Sequence, residues 1–106
     1  MTEEICEIVV TAAEADWLAG LTRTLVEERL VACGQHVERV RSVYRWAGEV
    51  YDEPEARVML HTRTALAPAV IDRIRALHAY DVPCVLAVPV LAANPDYARW
   101  VAEQTS

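Results

Sequence analysis

Hydrophobic and polar positions change period several times along the chain. The stretch ICEIVVT, from Ile5 to Thr11, is short and rich in β-branched residues, which predicts a strand. Thr11 followed by Glu14 has the spacing of a capping box, a hydroxyl cap with a glutamate three residues on. The helix it would open carries Trp17, Leu18, Leu21 and Leu25 on one face and is expected to end near Leu30. Two longer extended stretches follow, CGQHVERVRSVYRW from Cys33 and EVYDEPEARVMLHT from Glu49. Val37, Val40, Val43, Tyr44 and Trp46 alternate imperfectly in the first, which predicts a bulge. The second holds the buried-strand run Val58, Met59 and Leu60. Between them Gly48 can supply the positive φ of a tight hairpin turn.

A second helix is predicted with Thr64 as its cap and Pro68 in its first turn, where a missing N–H costs nothing. Its apolar stripe is Val70, Ile71, Ile74, Leu77 and His78. CVLAVPVL, from Cys84, reads as a strand that Pro89 confines to a sheet edge or a bulge. Asn94 then caps a short last helix with Pro95 at its first position, carrying Tyr97, Trp100 and Val101. The order is βαββαβ plus a C-terminal helix. Right-handed crossovers place both connecting helices on one face of a four-stranded antiparallel sheet, an α+β, ferredoxin-like sandwich in one domain spanning residues 1–106. The other face, lined by tyrosine, tryptophan and valine, is left without a cover and needs a partner.

Composition points the same way. Apolar residues make up 54% of 106 positions, more than one small core can hide, and the surplus suggests contact with copies of the same chain. A net charge of −6 argues against nucleic acid and against an anionic membrane surface as partners. No apolar run approaches the roughly 20 residues of a spanning helix, and the acidic N-terminus lacks the basic segment of a secretory signal. A cytoplasmic protein is therefore expected, with Cys6, Cys33 and Cys84 as free, buried thiols. All ten basic residues are arginine, which excludes Schiff-base and Walker-type lysine chemistry. Three scattered glycines build no phosphate-binding loop.

Histidine and cysteine carry what remains of the chemistry. His78 and Cys84 stand six positions apart, and Cys33 and His36 have a C-x-x-H spacing. Imidazole and thiolate suit a soft metal ion. The alternative is that His78 is a packed histidine and Cys84 a small buried hydrophobe. In a flat strand Cys33 and His36 point to opposite faces. No serine triad is visible, and the carboxylates Glu49, Asp52, Glu53 and Glu55 around the hairpin are expected to be solvated.

Taken in order, several stretches resemble one family. RSVYRWAGEVYDEPEARVML is similar to the S-x-Y-x-W-x-G…E hairpin of the divalent-cation tolerance (CutA) proteins. VEERLVACG resembles their R/K-L-A-A-C segment, HAYDVPCVLAVPV their H-P-Y-x-x-P-E…P-V stretch, and NPDYARWV their N-x-x-Y-x-x-W-V ending. The match runs from about Ile8 to the terminus. The resemblance implies a ferredoxin-like homotrimer in which long hairpins pair across subunits. It implies no enzymatic reaction, and a role in the response to divalent metal ions, with copper as the ion to test. Carried over by position, it makes His78 and Cys33 the metal candidates. Where the family has proline, glutamate and lysine, this chain has Ala79, Cys84 and His61; Cys84 with His61 would be a softer replacement site. Where some members have paired histidines, this chain has Leu77 and His78. A trimer similar to the PII-type small-molecule sensors, or one made for protein interaction, is the alternative. Arg63 or Arg75 at a cleft would mark the sensor.

Overall fold

The computed structural model describes residues 3–106. Strand β1 (Ile5–Ala12), helix α1 (Ala15–Glu27), β2 (Cys33–Trp46), β3 (Glu49–Arg63), α2 (Ala67–Leu77), β4 (Val85–Pro89) and α3 (Pro95–Gln104) follow in the expected order. The sheet order is β2-β3-β1-β4, with every neighbouring pair antiparallel. This is the ferredoxin-like sandwich with an added terminal helix. Pro89 lies on β4, an edge strand, where its missing N–H leaves no gap in the sheet interior.

Alternation along β1 explains the main core. Cys6, Ile8, Val10 and Ala12 turn toward α1 and α2, where they join Leu18, Leu25, Val58, Leu60, Val70 and Ile74. Ile5 turns the other way and packs on Ala98 and Val101 of α3. The second sheet face is thus partly covered by the chain's own last helix. Gly34 lets α1 approach β2: a Cβ there would stand 2.6 Å from Thr22 Cγ2 and 2.9 Å from Leu60 Cδ2.

Three local expectations are corrected. The capping box does not form, because Thr11 and Ala12 stay in the β1–β3 ladder opposite Arg57 and Ala56. Glu14 becomes the N-cap and makes no side-chain cap bond. Helix α1 stops at Glu27, short of Leu30. Arg29 turns left-handed at φ 61°, and the N–H groups of Arg29 and Leu30 donate to the carbonyls of Val26 and Leu25, a Schellman ending. Thr64 opens a 3-10 turn (Thr64–Leu66) rather than capping α2, whose N-cap is Leu66. By contrast, Asn94 caps α3 as expected, its side chain accepting from the Asp96 N–H at 3.0 Å.

The β2–β3 hairpin overhangs the sheet. β1 pairs with β3 only from Ala56 to Arg63, so Glu49–Glu55 is paired with β2 alone. The bulge falls between Val37 and Val40. At the tip both Ala47 (φ 51°) and Gly48 (φ 83°) are left-handed, the geometry of a two-residue type I′ turn. The overhang helps draw the molecule out to 48 × 26 × 22 Å.

Candidate thiol–imidazole site

The registers of the sheet align three side chains. Glu7 on β1 is opposite His61 on β3, and His61 is opposite Cys33 on β2. Directly opposed residues share a face, so carboxylate, imidazole and thiol form one row across three strands. Helix α3 then lays Tyr97 over the row. His61 Nε2 lies 2.9 Å from Glu7 Oε2. Cys33 Sγ lies 3.7 Å from His61 Nδ1 and 3.1 Å from the Tyr97 hydroxyl, which also meets Nδ1. A carboxylate accepts, so Nε2 donates to Glu7, and in the neutral ring the Nδ1 lone pair meets the Tyr97 hydroxyl first, with the thiol farther off. Burial pushes the Tyr97 phenol far above its usual range, and Cys33 beside it adds to the shift. The phenol therefore stays a neutral hydroxyl. The His61 side chain is only 12% exposed, whereas that of Glu7, at 33%, opens the row to solvent.

His78 sits elsewhere and is differently engaged. It is the C-cap of α2 and 9% exposed. Its Nε2–H donates to the Thr11 carbonyl at 2.9 Å, and its Nδ1 accepts from the Tyr80 N–H at 3.1 Å. Trp17 and Tyr80 flank the ring at centroid distances of 4.9 and 4.7 Å. In this geometry both nitrogens of the expected ligand His78 are hydrogen-bonded, and an ion at Nδ1 would have to displace the Tyr80 N–H. The residue ties the end of α2 to the end of β1.

The other pairings considered from spacing are not brought together. His36 opposes Val58, three positions along β2 from Cys33, and is exposed. Cys84 lies beside Thr11, to which its carbonyl is bonded, four strand positions (about 13 Å) along β1 from the Glu7 that faces His61. The Cys84–His61 site is therefore not formed, and of the three thiols expected to be buried only Cys6 is, since Cys33 is half-buried and Cys84 exposed. Among the described residues, no three of His, Cys, Asp and Glu converge for a metal ion. Cys33 and His61 fit a soft ion as a pair, with Tyr97 at hand. Spacing missed Glu7 and Tyr97. Tyr97 reads as an apolar helix position, and only strand register places Glu7.

Of the arginines that would mark a sensor, Arg63 is occupied. Its guanidinium donates to the Thr105 hydroxyl at 3.1 Å and to the Thr105 carbonyl, holding the C-terminus. Arg75 is exposed on α2. Around the hairpin, Asp52 forms a two-pronged pair with Arg41, at 2.7 and 2.6 Å, and Tyr80 donates to Glu55 at 3.2 Å.

The CutA1 divalent ion tolerance protein family model matches residues 6–104. The chain belongs to this family. It is 36% identical over 98 residues to the divalent-cation tolerance protein CutA of Thermus thermophilus, covering 92% of this chain and 95% of that one. It is also 36% identical over 85 residues to protein CutA of Mus musculus, but spans only 48% of that longer protein. The crystal structure of CutA1 from Oryza sativa superposes with a TM-score of 0.94 at 31% identity, covering 99% of this chain and 96% of that one. Membership accounts for the resemblance of the hairpin, the Cys33 segment and the α3 motif to the family pattern. Among the described residues, no helix is long and apolar enough to cross a membrane.

Proposed function

We propose that this CutA1-family protein is a non-enzymatic, cytoplasmic homotrimer that binds a divalent metal ion, copper or a related one, in the response to metal ions. The observation that carries the reading is the family match across residues 6–104, to proteins described by divalent ion tolerance. Soft-ligand chemistry at Cys33 and His61 agrees with it. Cys33 is the ligand candidate this reading keeps; His78 is assigned to holding α2 against β1.

The trimer rests on the overhanging hairpin. A two-stranded ribbon without a third strand is marginal in water. Here it exposes apolar side chains on both faces, Val43 and Val50 on one, Tyr44 and Trp46 on the other. Copies of the chain supply the missing cover.

Native mass spectrometry of the untagged protein, with and without one equivalent of Cu(II), tests both parts. Trimers carrying integral numbers of copper ions are expected. A trimer that takes up no ion would remove the metal reading and leave the assembly. A monomer would remove the assembly.

A further inference from the structure

Two groups of the row across β1, β3 and β2, the Cys33 thiol and the His61 imidazole, have the donor chemistry that suits a soft metal ion, and the Tyr97 hydroxyl now bridges them. Zinc-class ions bond thiolate sulfur at about 2.3 Å and imidazole nitrogen at about 2.0 Å. At a near-tetrahedral angle those bonds hold the two donor atoms about 3.5 Å apart. Cys33 Sγ and His61 Nδ1 already stand at 3.7 Å. The far side of the imidazole is engaged by a carboxylate, Glu7 Oε2 at 2.9 Å from Nε2. That is the outer partner that metal-bound histidines use to fix the tautomer and raise ligand basicity.

We propose that Cys33 Sγ and His61 Nδ1 chelate a borderline-soft divalent cation of the zinc class. Glu7 orients the imidazole, and the Tyr97 hydroxyl donates to the bound sulfur. This rests on the reading of the protein as a divalent-ion binder and names the atoms that do the binding. The ion displaces one proton from the Cys33 thiol and draws the Tyr97 hydroxyl off Nδ1. One metal–sulfur and one metal–nitrogen bond form, no electron changes hands, and one proton is released per ion. Water fills the remaining positions, so exchange is easier than in a four-residue structural site. All four side chains come from one chain, so each subunit carries a whole site. Hard ions such as Mg(II) are not competitors, because thiolate and imidazole are poor ligands for them.

The test titrates the intact untagged protein with Co(II) under anaerobic conditions and displaces it with Zn(II). A near-ultraviolet sulfur-to-cobalt charge-transfer band is expected, lost on zinc addition and absent in Cys33→Ala and His61→Ala. Glu7→Gln is expected to keep the band and weaken affinity by about 10-fold. Tyr97→Phe keeps the band with its energy shifted. A measurement without variants runs alongside. Zinc should slow alkylation of Cys33, read by peptide mass, and leave the exposed Cys84 unaffected. Cobalt binding without a sulfur band, or alkylation of Cys33 unchanged by zinc, would overturn the proposal. Copper uptake that persists at wild-type stoichiometry in both variants would overturn this site and leave the divalent-ion reading standing. Failure of the wild type to take up any of these ions would remove both.

Discussion

At the scale of single residues, the same side-chain type does two different jobs here. His61 keeps both nitrogens among side chains, Glu7 at Nε2 and Tyr97 and Cys33 at Nδ1, while His78 spends both on backbone atoms. Removing the second ring leaves the Thr11 carbonyl without its donor and opens a space between Trp17 and Tyr80. His78→Ala is therefore expected to lower stability by about 1–3 kcal/mol, measured by urea unfolding, with the bound-ion count unchanged in native mass spectra. Loss of the proposed copper uptake with stability intact would make His78 a ligand. Arg29 shows how a charged residue can stand where glycine is usual. Its left-handed backbone is strained, but its guanidinium donates to the Glu103 carbonyl at 2.8 Å and the Ser106 carbonyl at 3.1 Å. Both lie at the end of α3, where a cation meets the negative end of the helix.

At the scale of elements, close approach and charge pairing set how α1 sits. Gly34 leaves room for Thr22 and Leu60 where a methyl group would collide with both. Gly34→Ala is expected to cost about 1–3 kcal/mol, the usual range for overpacking a filled core. Calorimetry would show it as a lowered Tm, and an unchanged Tm would mean that α1 can lift off β2 at no cost. Glu28, the C-cap of α1, meets Arg73 of α2 through two bonds of 2.9 and 2.8 Å. Hydrogen bonding to Arg73 holds the Glu28 carboxyl below its ordinary value. A lowered folded value means that this strap contributes above the unfolded carboxylate range and is lost as pH falls through the folded value. Carboxyl NMR titration should place the Glu28 midpoint below that of unpaired glutamates, and Arg73→Gln should bring it back up. The pair is exposed, so its effect on total stability is small.

At the scale of the whole molecule, the hairpin decides what one chain cannot do alone. Val43 and Val50 are 64% and 62% exposed and take no part in the chain's own core. Val43→Glu with Val50→Glu should leave the subunit's circular dichroism unchanged. If the proposed trimer packs through this face, the change should shift sedimentation from trimer to monomer, because charges in a buried contact lose their hydration without gaining partners. A trimer that survives the double change would place the contact on another surface. Each site row comes from a single chain, so a monomeric variant that keeps the zinc protection of Cys33 would separate ion binding from assembly.

Local grammar is written in the order of neighbouring residues. Strand and helix order, the presence of a bulge in β2, the glycine turn and the Asn94 cap all follow from neighbours a few residues apart, where period and capping chemistry act. The family motifs were legible for the same reason. Two local signals failed when a longer-range interaction outweighed them. Thr11 went to a ladder with Arg57 instead of a helix cap, and α1 stopped at an arginine held by α3. The candidate site was only half legible. Cys33 is marked by its segment, but the pairs Cys33–His61, His61–Glu7 and Cys33–Tyr97 stand 28, 54 and 64 positions apart, and strand register and helix docking create them. Spacing along the chain carries no information about register. Only the folded sheet could set Glu7, His61 and Cys33 in one row, close Tyr97 over them, and turn His78 away to the backbone.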